Sequence, residues 1–138
     1  MSSAVYSAPR LPEIPDEARE LFDRLWLEPE MPVDLLRMQV QDYRQVVHLV
    51  GKERERIDVA LADRIAQVCL QLLGEISRET PAHERRLIQV AVRYFVEEED
   101  ADGDMLSAFG FADDVAVLNA VLTSLGRDEL VIVVDWPL

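Results

Sequence analysis

Residues 52–77, KERERIDVALADRIAQVCLQLLGEIS, place an apolar side chain at every third or fourth position. Because an α-helix turns once in about 3.6 residues, this spacing gathers the apolar side chains on one face. The six positions are Ile57, Leu61, Ile65, Val68, Leu72 and Ile76. Polar side chains such as Arg64 and Gln71 fall on the opposite face, as in an amphipathic helix packed on a core. The stretch predicts a long helix over residues 53–77.

The segments before this stretch predict two further helices and an arm. A short helix is expected to start after Pro15, where acidic residues suit the positive helix end, and to run through Trp26. Apolar residues at steps of three and four then predict a helix over 33–50, with Gly51 as its stop. Residues 1–15 carry three prolines and no helical period, so they are expected to form a flexible arm.

The segments after this stretch predict two more helices. Thr80 is expected to act as the N-cap and Pro81 as the first helical residue of a helix over 82–96. A later run is apolar nearly all round, which is typical of a helix at the centre of a bundle, and it predicts a helix over 112–126. Gly126 is placed to end this helix.

The predicted fold is therefore all-α, a compact bundle of about five helices with an extended C-terminal tail, in a single helical domain over residues 16–138. The tail, residues 128–138, holds consecutive β-branched residues that favour an extended chain. We expect Val131, Val133 and Trp136 to lie against the domain or against a second copy of the chain. A homodimer through this tail is the alternative to a groove covered within one chain.

The charge balance excludes several classes of function. The 138 residues carry 27 acidic and 14 basic side chains, a formal net charge of −13. Nucleic-acid readers need clustered basic groups, so direct nucleic-acid binding is not expected, and docking on anionic lipid is disfavoured. No apolar run approaches the roughly 20 residues of a membrane span. With one cysteine and no charged-then-apolar segment at the start, the sequence favours a cytoplasmic location.

The sequence holds no standard catalytic motif. Five glycines occur and none are grouped, so a phosphate-binding loop is missing. His48, His83 and Cys69 are too few for an ordinary tetrahedral zinc site. Cys69 adjoins the apolar stripe and is expected to be a core residue rather than a nucleophile, and His83 is expected to be solvated. We therefore expect a protein that is not an enzyme and has no cofactor.

An acidic cluster is the main candidate site, with six carboxylates in the eight residues 97–104. Crowded carboxylates repel one another unless a cation or a basic partner lies between them. One hypothesis is contact with a protein partner that has a basic surface, through Glu97, Glu98, Glu99 and Asp102. The other is a site for Ca²⁺ or Mg²⁺, which prefer oxygen ligands, formed by Asp100, Asp104, Asp113 and Asp114. A solvated acidic loop with neither role is the third.

The standard calcium-loop template does not fit this cluster. Position twelve of that loop should be a bidentate glutamate, but it is Phe111 in the register from Asp100 and again a phenylalanine in the register from Glu98. A cation site here would therefore be nonstandard. The pair Asp113 and Asp114 also has a structural explanation, because carboxylates ahead of the last helix can cap its free backbone N–H groups.

The run YFVEEEDADGDMLSAFGFADDVAVL, residues 94–118, resembles the signature of the YkvA-like domain-of-unknown-function family, small helical proteins found widely in bacteria. The resemblance covers about residues 85–125, and its matching positions are Tyr94, Asp100, Asp104, Gly110, Asp113 and Asp114. Glu98 and Gly103 replace the two prolines of the family pattern. Members often carry an apolar, membrane-associated version of this segment, which the carboxylates here do not allow. The resemblance implies a helical fold and a paired-aspartate site, but no reaction.

The leading functional hypothesis is a non-enzymatic interaction or regulatory module that binds a basic protein partner. The alternative is a divalent-cation-binding domain, with or without hydrolytic chemistry, at the four aspartates. Mimicry of nucleic acid by the clustered carboxylates is a third hypothesis. The first leads because no nucleophile, base and acceptor can be assembled at suitable spacing.

Overall fold

The computed structural model describes residues 9–11, 14–54, 57–97 and 111–134, which form an all-α bundle without strands in those ranges. A 3₁₀ turn over Asp128–Leu130 leads from the last helix into an extended segment that reaches Val134. The predicted fold class, a helical bundle with an extended C-terminal tail, is confirmed. The five helices of the described part are α1 (Asp16–Trp26), α2 (Val33–Gly51), α3 (Val59–Gly74), α4 (Ala82–Val96) and α5 (Ala112–Ser124).

Helices α4 and α5 form the centre of the bundle. Helix α4 contacts each of the other four described helices, and α5 contacts α1, α3 and α4. The apolar run that predicted a central helix is buried along its length, including Val117, Leu118 and Val121. Burial on several sides explains why α5 has no polar face of ordinary width.

Helix α3 packs against α2, α4 and α5, but it is shorter than the predicted 53–77. Asp58 sets its start, because the Asp58 carboxylate accepts a hydrogen bond from the backbone N–H of Leu61 at 2.9 Å. Ile57 is buried ahead of this cap and outside the helix. The apolar period therefore continues past the helix start, and the period alone gave too long a helix.

The start of α4 also differs from the expectation. The residue in the N-cap position is Pro81, with φ −59° and ψ 146°, and Thr80 is not the cap. The Thr80 hydroxyl instead accepts a hydrogen bond from the backbone N–H of Ser77 at 3.0 Å. Thr80 thus stabilises the turn between α3 and α4, and it lies one residue before the N-cap position.

Two glycines end helices as the sequence predicted. Helix α2 ends at Gly51, where an added Cβ would lie 2.5 Å from Cγ2 of Val59. Glycine therefore allows the close approach of α2 to the start of α3. Gly126 has φ +73°, the left-handed conformation that commonly follows a helix C-terminus.

The described residues of the predicted arm contact the helices. The Arg19 guanidinium of α1 donates a hydrogen bond to the Pro9 carbonyl at 2.8 Å, and Ile14 is buried in the core. Residues 1–8 and 12–13 lie outside the described residues. Flexibility of the arm stays a prediction.

Side chains of α4 hold the connection between α1 and α2. The Gln89 amide is buried, donates a hydrogen bond to the Pro29 carbonyl at 2.8 Å and accepts one from the Met31 N–H at 2.7 Å. The Arg86 guanidinium donates to the Trp26 carbonyl. These hydrogen bonds satisfy backbone groups that have no partner within α1 or α2.

The C-terminal tail packs on its own domain, but only in part with the predicted side chains. Val131 is partly buried and packs against the core, as predicted. Val133 is 88 % exposed, whereas Ile132 is 6 % exposed, so the expected burial of Val133 is wrong. The side-chain amide of Asn119 donates to the Ile132 carbonyl and accepts from the Ile132 N–H, both at 2.9 Å. This clamp turns the Ile132 side chain into the core, and the next side chain therefore points to solvent. Trp136 lies outside the described residues.

We expect Asn119→Leu to lower the free energy of unfolding by about 1–3 kcal/mol, because both backbone groups of Ile132 would lose their partner. Chemical denaturation checks this result. The matched control is Thr123→Leu, one turn further along α5 at an exposed position, which should change the free energy by less than about 0.5 kcal/mol. Equal losses in the two variants would show that the clamp does not hold the tail.

Candidate functional site

The described residues include three of the predicted acidic site residues. Glu97 directly follows α4, and its carboxylate lies 3.7 Å from the guanidinium of Arg93, one turn earlier. Asp113 and Asp114 lie in the first turn of α5. The other predicted partner-binding and metal residues lie outside the described residues, namely Glu98, Glu99, Asp100, Asp102 and Asp104.

The aspartate pair lies within α5. The N-cap position is Phe111, and Asp113 and Asp114 lie two and three residues after it, so the prediction that they stand ahead of the helix is wrong. Asp114 is 3 % exposed, and it lies where the positive end of the helix dipole favours a carboxylate. Both carboxylates therefore lie within the first turn of α5, where they interact with the helix dipole, and not before the helix begins.

No group of three histidine, cysteine, aspartate or glutamate side chains that could hold a metal ion occurs in the described part of the chain. Two of the four predicted cation ligands, Asp100 and Asp104, lie outside that part. The cation site stays a prediction.

Cys69 is a core residue, as the sequence predicted. Its side chain is fully buried on α3. Burial, and secondarily the charge of Asp114, raises the pKa of the Cys69 thiol to about 12. A nucleophilic cysteine needs a lowered pKa and access to solvent, and Cys69 has neither.

We expect native Cys69 to resist thiol reagents at pH 8. A pKa of about 12 in place of 9.0 leaves roughly a thousandfold less thiolate, and burial blocks access as well. Labelling followed by mass spectrometry should show modification only after denaturant is added. Equal labelling rates for native and denatured protein would contradict the burial of this residue.

A polar cluster joins α2 to α3 and was not predicted from the sequence. One carboxylate oxygen of Asp63 lies 2.7 Å from His48 Nε2 and accepts a hydrogen bond from Arg44 Nε at 2.9 Å. Desolvation by burial acts to raise the pKa of Asp63, but the bonds to His48 and Arg44 outweigh it, and the pKa is lowered. His48 and Asp63 are 15 residues apart on different helices, so no local spacing could have shown the pair.

This cluster lies at the surface of the bundle. His48 and Arg44 border a surface cavity of about 430 Å³, whose remaining wall is Gln41, Gln45, Leu49 and Lys52. The Asp63 carboxylate interacts with both of its basic neighbours, His48 and Arg44. The cluster therefore fastens α2 to α3.

Helix α2 carries a second apolar stripe that faces solvent. Six large apolar side chains are exposed in the described part of the chain, and four of them belong to α2. At about 100° per residue they fall within roughly 80° of one another around the helix, together with Asp42. We call this set the outer stripe of α2: Leu35, Met38, Asp42, Val46 and Leu49.

The outer stripe adjoins the start of the acidic run. A cavity of about 460 Å³ lies between α2 and the end of α4, and its wall includes Asp42, Val46, Arg93 and Glu97. The two elements are brought together because Tyr43 of α2 packs edge-on against Phe95 of α4, with ring centroids 4.9 Å apart. Val46 of the outer stripe and Glu97, the first residue of the acidic run, therefore line the same cavity.

Comparisons with known proteins find no match to this chain among family models, curated proteins or solved structures. The resemblance to the YkvA-like family thus stays a prediction. None of the helices in the described ranges has the length and apolar character needed to cross a membrane.

Proposed function

We propose that this protein is a non-enzymatic interaction module that binds a protein partner with a basic surface through its acidic side chains. The observation that carries the proposal is the position of Glu97, the first residue of the acidic run, beside the outer stripe of α2. Protein interfaces combine an apolar centre with a charged rim, and this side of the bundle offers both. The proposed contact residues are Glu97, Glu98, Glu99 and Asp102.

The charge of the chain supports a basic partner. A formal net charge of −13 attracts a basic surface over long range and speeds association. Membership of the YkvA-like family, a cytoplasmic location and a dimer contact through the tail belong to the same proposal.

The test is interaction capture with the intact protein and with a variant whose acidic run is neutralised. The variant carries Glu97→Gln, Glu98→Gln, Glu99→Gln and Asp102→Asn. We expect the intact protein to enrich a basic protein whose purified form binds it directly, and the variant to bind that protein at least about tenfold more weakly, because it has lost the attractive charges.

The matched control removes four negative charges elsewhere, at the exposed residues Glu17, Glu20, Glu79 and Glu84. It should bind within about twofold of the intact protein if position matters rather than total charge. Equal weakening in both variants would contradict a specific acidic surface. Calorimetric titration with Ca²⁺ and Mg²⁺ tests the alternative: a one-to-one site lost in Asp104→Asn and Asp113→Asn would replace the interaction module with a cation-binding domain.

A further inference from the structure

We infer that the outer stripe of α2 is the docking site for an amphipathic helix of the partner, one with a lysine or arginine at the centre of its apolar face. The inference rests on the proposed function and names the partner's contact element. It follows from three features of the stripe: its shape, the carboxylate at its middle, and its symmetry.

The shape of the stripe fits a helix. Leu35 and Leu49 are its ends, so it is about 21 Å long at 1.5 Å per residue. Its width of about 80° is close to the narrow seam that one helix presents to another. Leu49 is 62 % exposed and Met38 is 53 % exposed, so the apolar side chains are available for contact. A helix in a groove is recognised through anchors with this spacing.

The middle of the stripe favours a partner that places a cationic side chain there. The Asp42 carboxylate is exposed between the two apolar pairs, and no hydrogen bond or ion pair that the described residues form includes it. Its basic neighbour across the cavity, Arg93, is already engaged by Glu28 and Glu97. A partner that covered Asp42 with an apolar side chain would bury an unpaired carboxylate, which is strongly unfavourable. A partner lysine or arginine would pair with Asp42 and lie near Glu97 as well.

The symmetry of the stripe excludes a second copy of this chain as the favoured occupant. Leu35 and Leu49 are each seven residues from Asp42, and Met38 and Val46 are each four residues from it. Two antiparallel copies of α2 would therefore match their apolar pairs but place the two Asp42 carboxylates against each other. Like charges in contact disfavour association, and each copy also carries a net charge of −13.

Synthetic helical peptides provide the probe. An 18-residue peptide has leucines at positions 2, 5, 13 and 16 and lysine at position 9, and a second peptide has glutamate at position 9. We expect the intact protein to bind the lysine peptide at least about tenfold more tightly than the glutamate peptide, as measured by fluorescence anisotropy. Asp42→Lys should reverse this preference, a result that loss of folding cannot produce.

Surface substitutions locate the site. Met38→Ser and Leu49→Ser should each weaken binding of the lysine peptide at least about tenfold. The control is Leu27→Ser, an exposed leucine outside the stripe, which should leave the affinity unchanged. Equal binding of both peptides, or no binding of either, would overturn the inference. Sedimentation of the intact protein as a dimer that Leu49→Ser dissociates would make a second copy the occupant instead.

The failure of this inference can be told apart from failure of the proposed function. If the captured basic partner is lost on neutralising residues 97–102 but tolerates Leu49→Ser, the function stands and the helix site is wrong. If the lysine peptide binds as described while no partner depends on the acidic run, the helix site stands and the function assigned to the acidic run is wrong.

Discussion

Phe95→Ala is expected to lower the free energy of unfolding by about 3–5 kcal/mol, enough to unfold a large fraction of a marginally stable domain. The Phe95 side chain is 1 % exposed near the end of α4. Its ring lies 4.9 Å from that of Tyr43 on α2 and 6.4 Å from that of Phe111, which precedes α5. The substitution would leave a cavity where three elements meet, in addition to the lost apolar burial.

Urea denaturation of the purified protein measures this loss. Leu49→Ala is the matched control, because it removes an apolar side chain of similar size from an exposed position and should cost less than about 0.5 kcal/mol. A loss below about 1 kcal/mol in Phe95→Ala would mean that the core does not centre on this residue. Because Phe95 packs on α2 and lies two residues before Glu97, its removal should also loosen the contact between the outer stripe and the acidic run.

Ile132→Ser and Val133→Ser are expected to differ sharply although they are adjacent and β-branched. Ile132→Ser should lower the free energy of unfolding by about 2–3 kcal/mol, because the stabilisation from burying the apolar Ile132 side chain is lost. Val133→Ser should be neutral within about 0.5 kcal/mol, since this side chain is 88 % exposed. Thermal or chemical denaturation of the two variants compares them directly.

A larger loss of stability in Val133→Ser than in Ile132→Ser would agree with the burial of Val133 predicted from the sequence. It would contradict the Asn119 clamp. Truncation after Glu129 should destabilise the domain at least as much as Ile132→Ser, because it removes the same side chain together with its partly buried neighbours. A truncated protein of unchanged stability would assign the tail to a partner. Sedimentation of the intact chain tests the tail as a dimer contact, because a monomer excludes it.

The helices could be predicted from the sequence because their burial has a regular period. The inner stripe of α2, which includes Leu36, Val40 and Val47, is buried as its spacing indicates. Helix ends were less predictable, because they depend on single hydrogen bonds. Asp58 starts α3 five residues after the predicted start, and the period of apolar residues contains no information about such a cap.

The tail and the cross-helix contacts depend on residues that are distant in sequence. The side-chain amide of Asn119 decides which face of the tail is buried, because a run of consecutive β-branched residues fits either parity. His48 and Asp63 meet only because α2 and α3 pack together. Contacts of this kind require the tertiary fold before they can be recognised.

The candidate site was predicted in part. The acidic run was evident from composition, and its first residue, Glu97, lies in the described part of the chain. The outer stripe of α2 was missed, although its spacing is present in the sequence, because the stronger inner stripe explains the helix by itself. Exposure of residues such as Met38 and Leu49 is a property of the fold, since a bundle could have buried either side of α2.

The most direct test of an acidic interaction module is the salt dependence of its affinity for the captured basic partner. The Debye length falls from about 10 Å at 0.1 M salt to about 3 Å at 1 M, so attraction between charged surfaces weakens strongly over this range. We predict that Kd rises at least about tenfold for the intact protein and at most about twofold for the variant neutralised at Glu97, Glu98, Glu99 and Asp102. A Kd that is independent of salt, or equally salt-dependent in both proteins, would contradict the account.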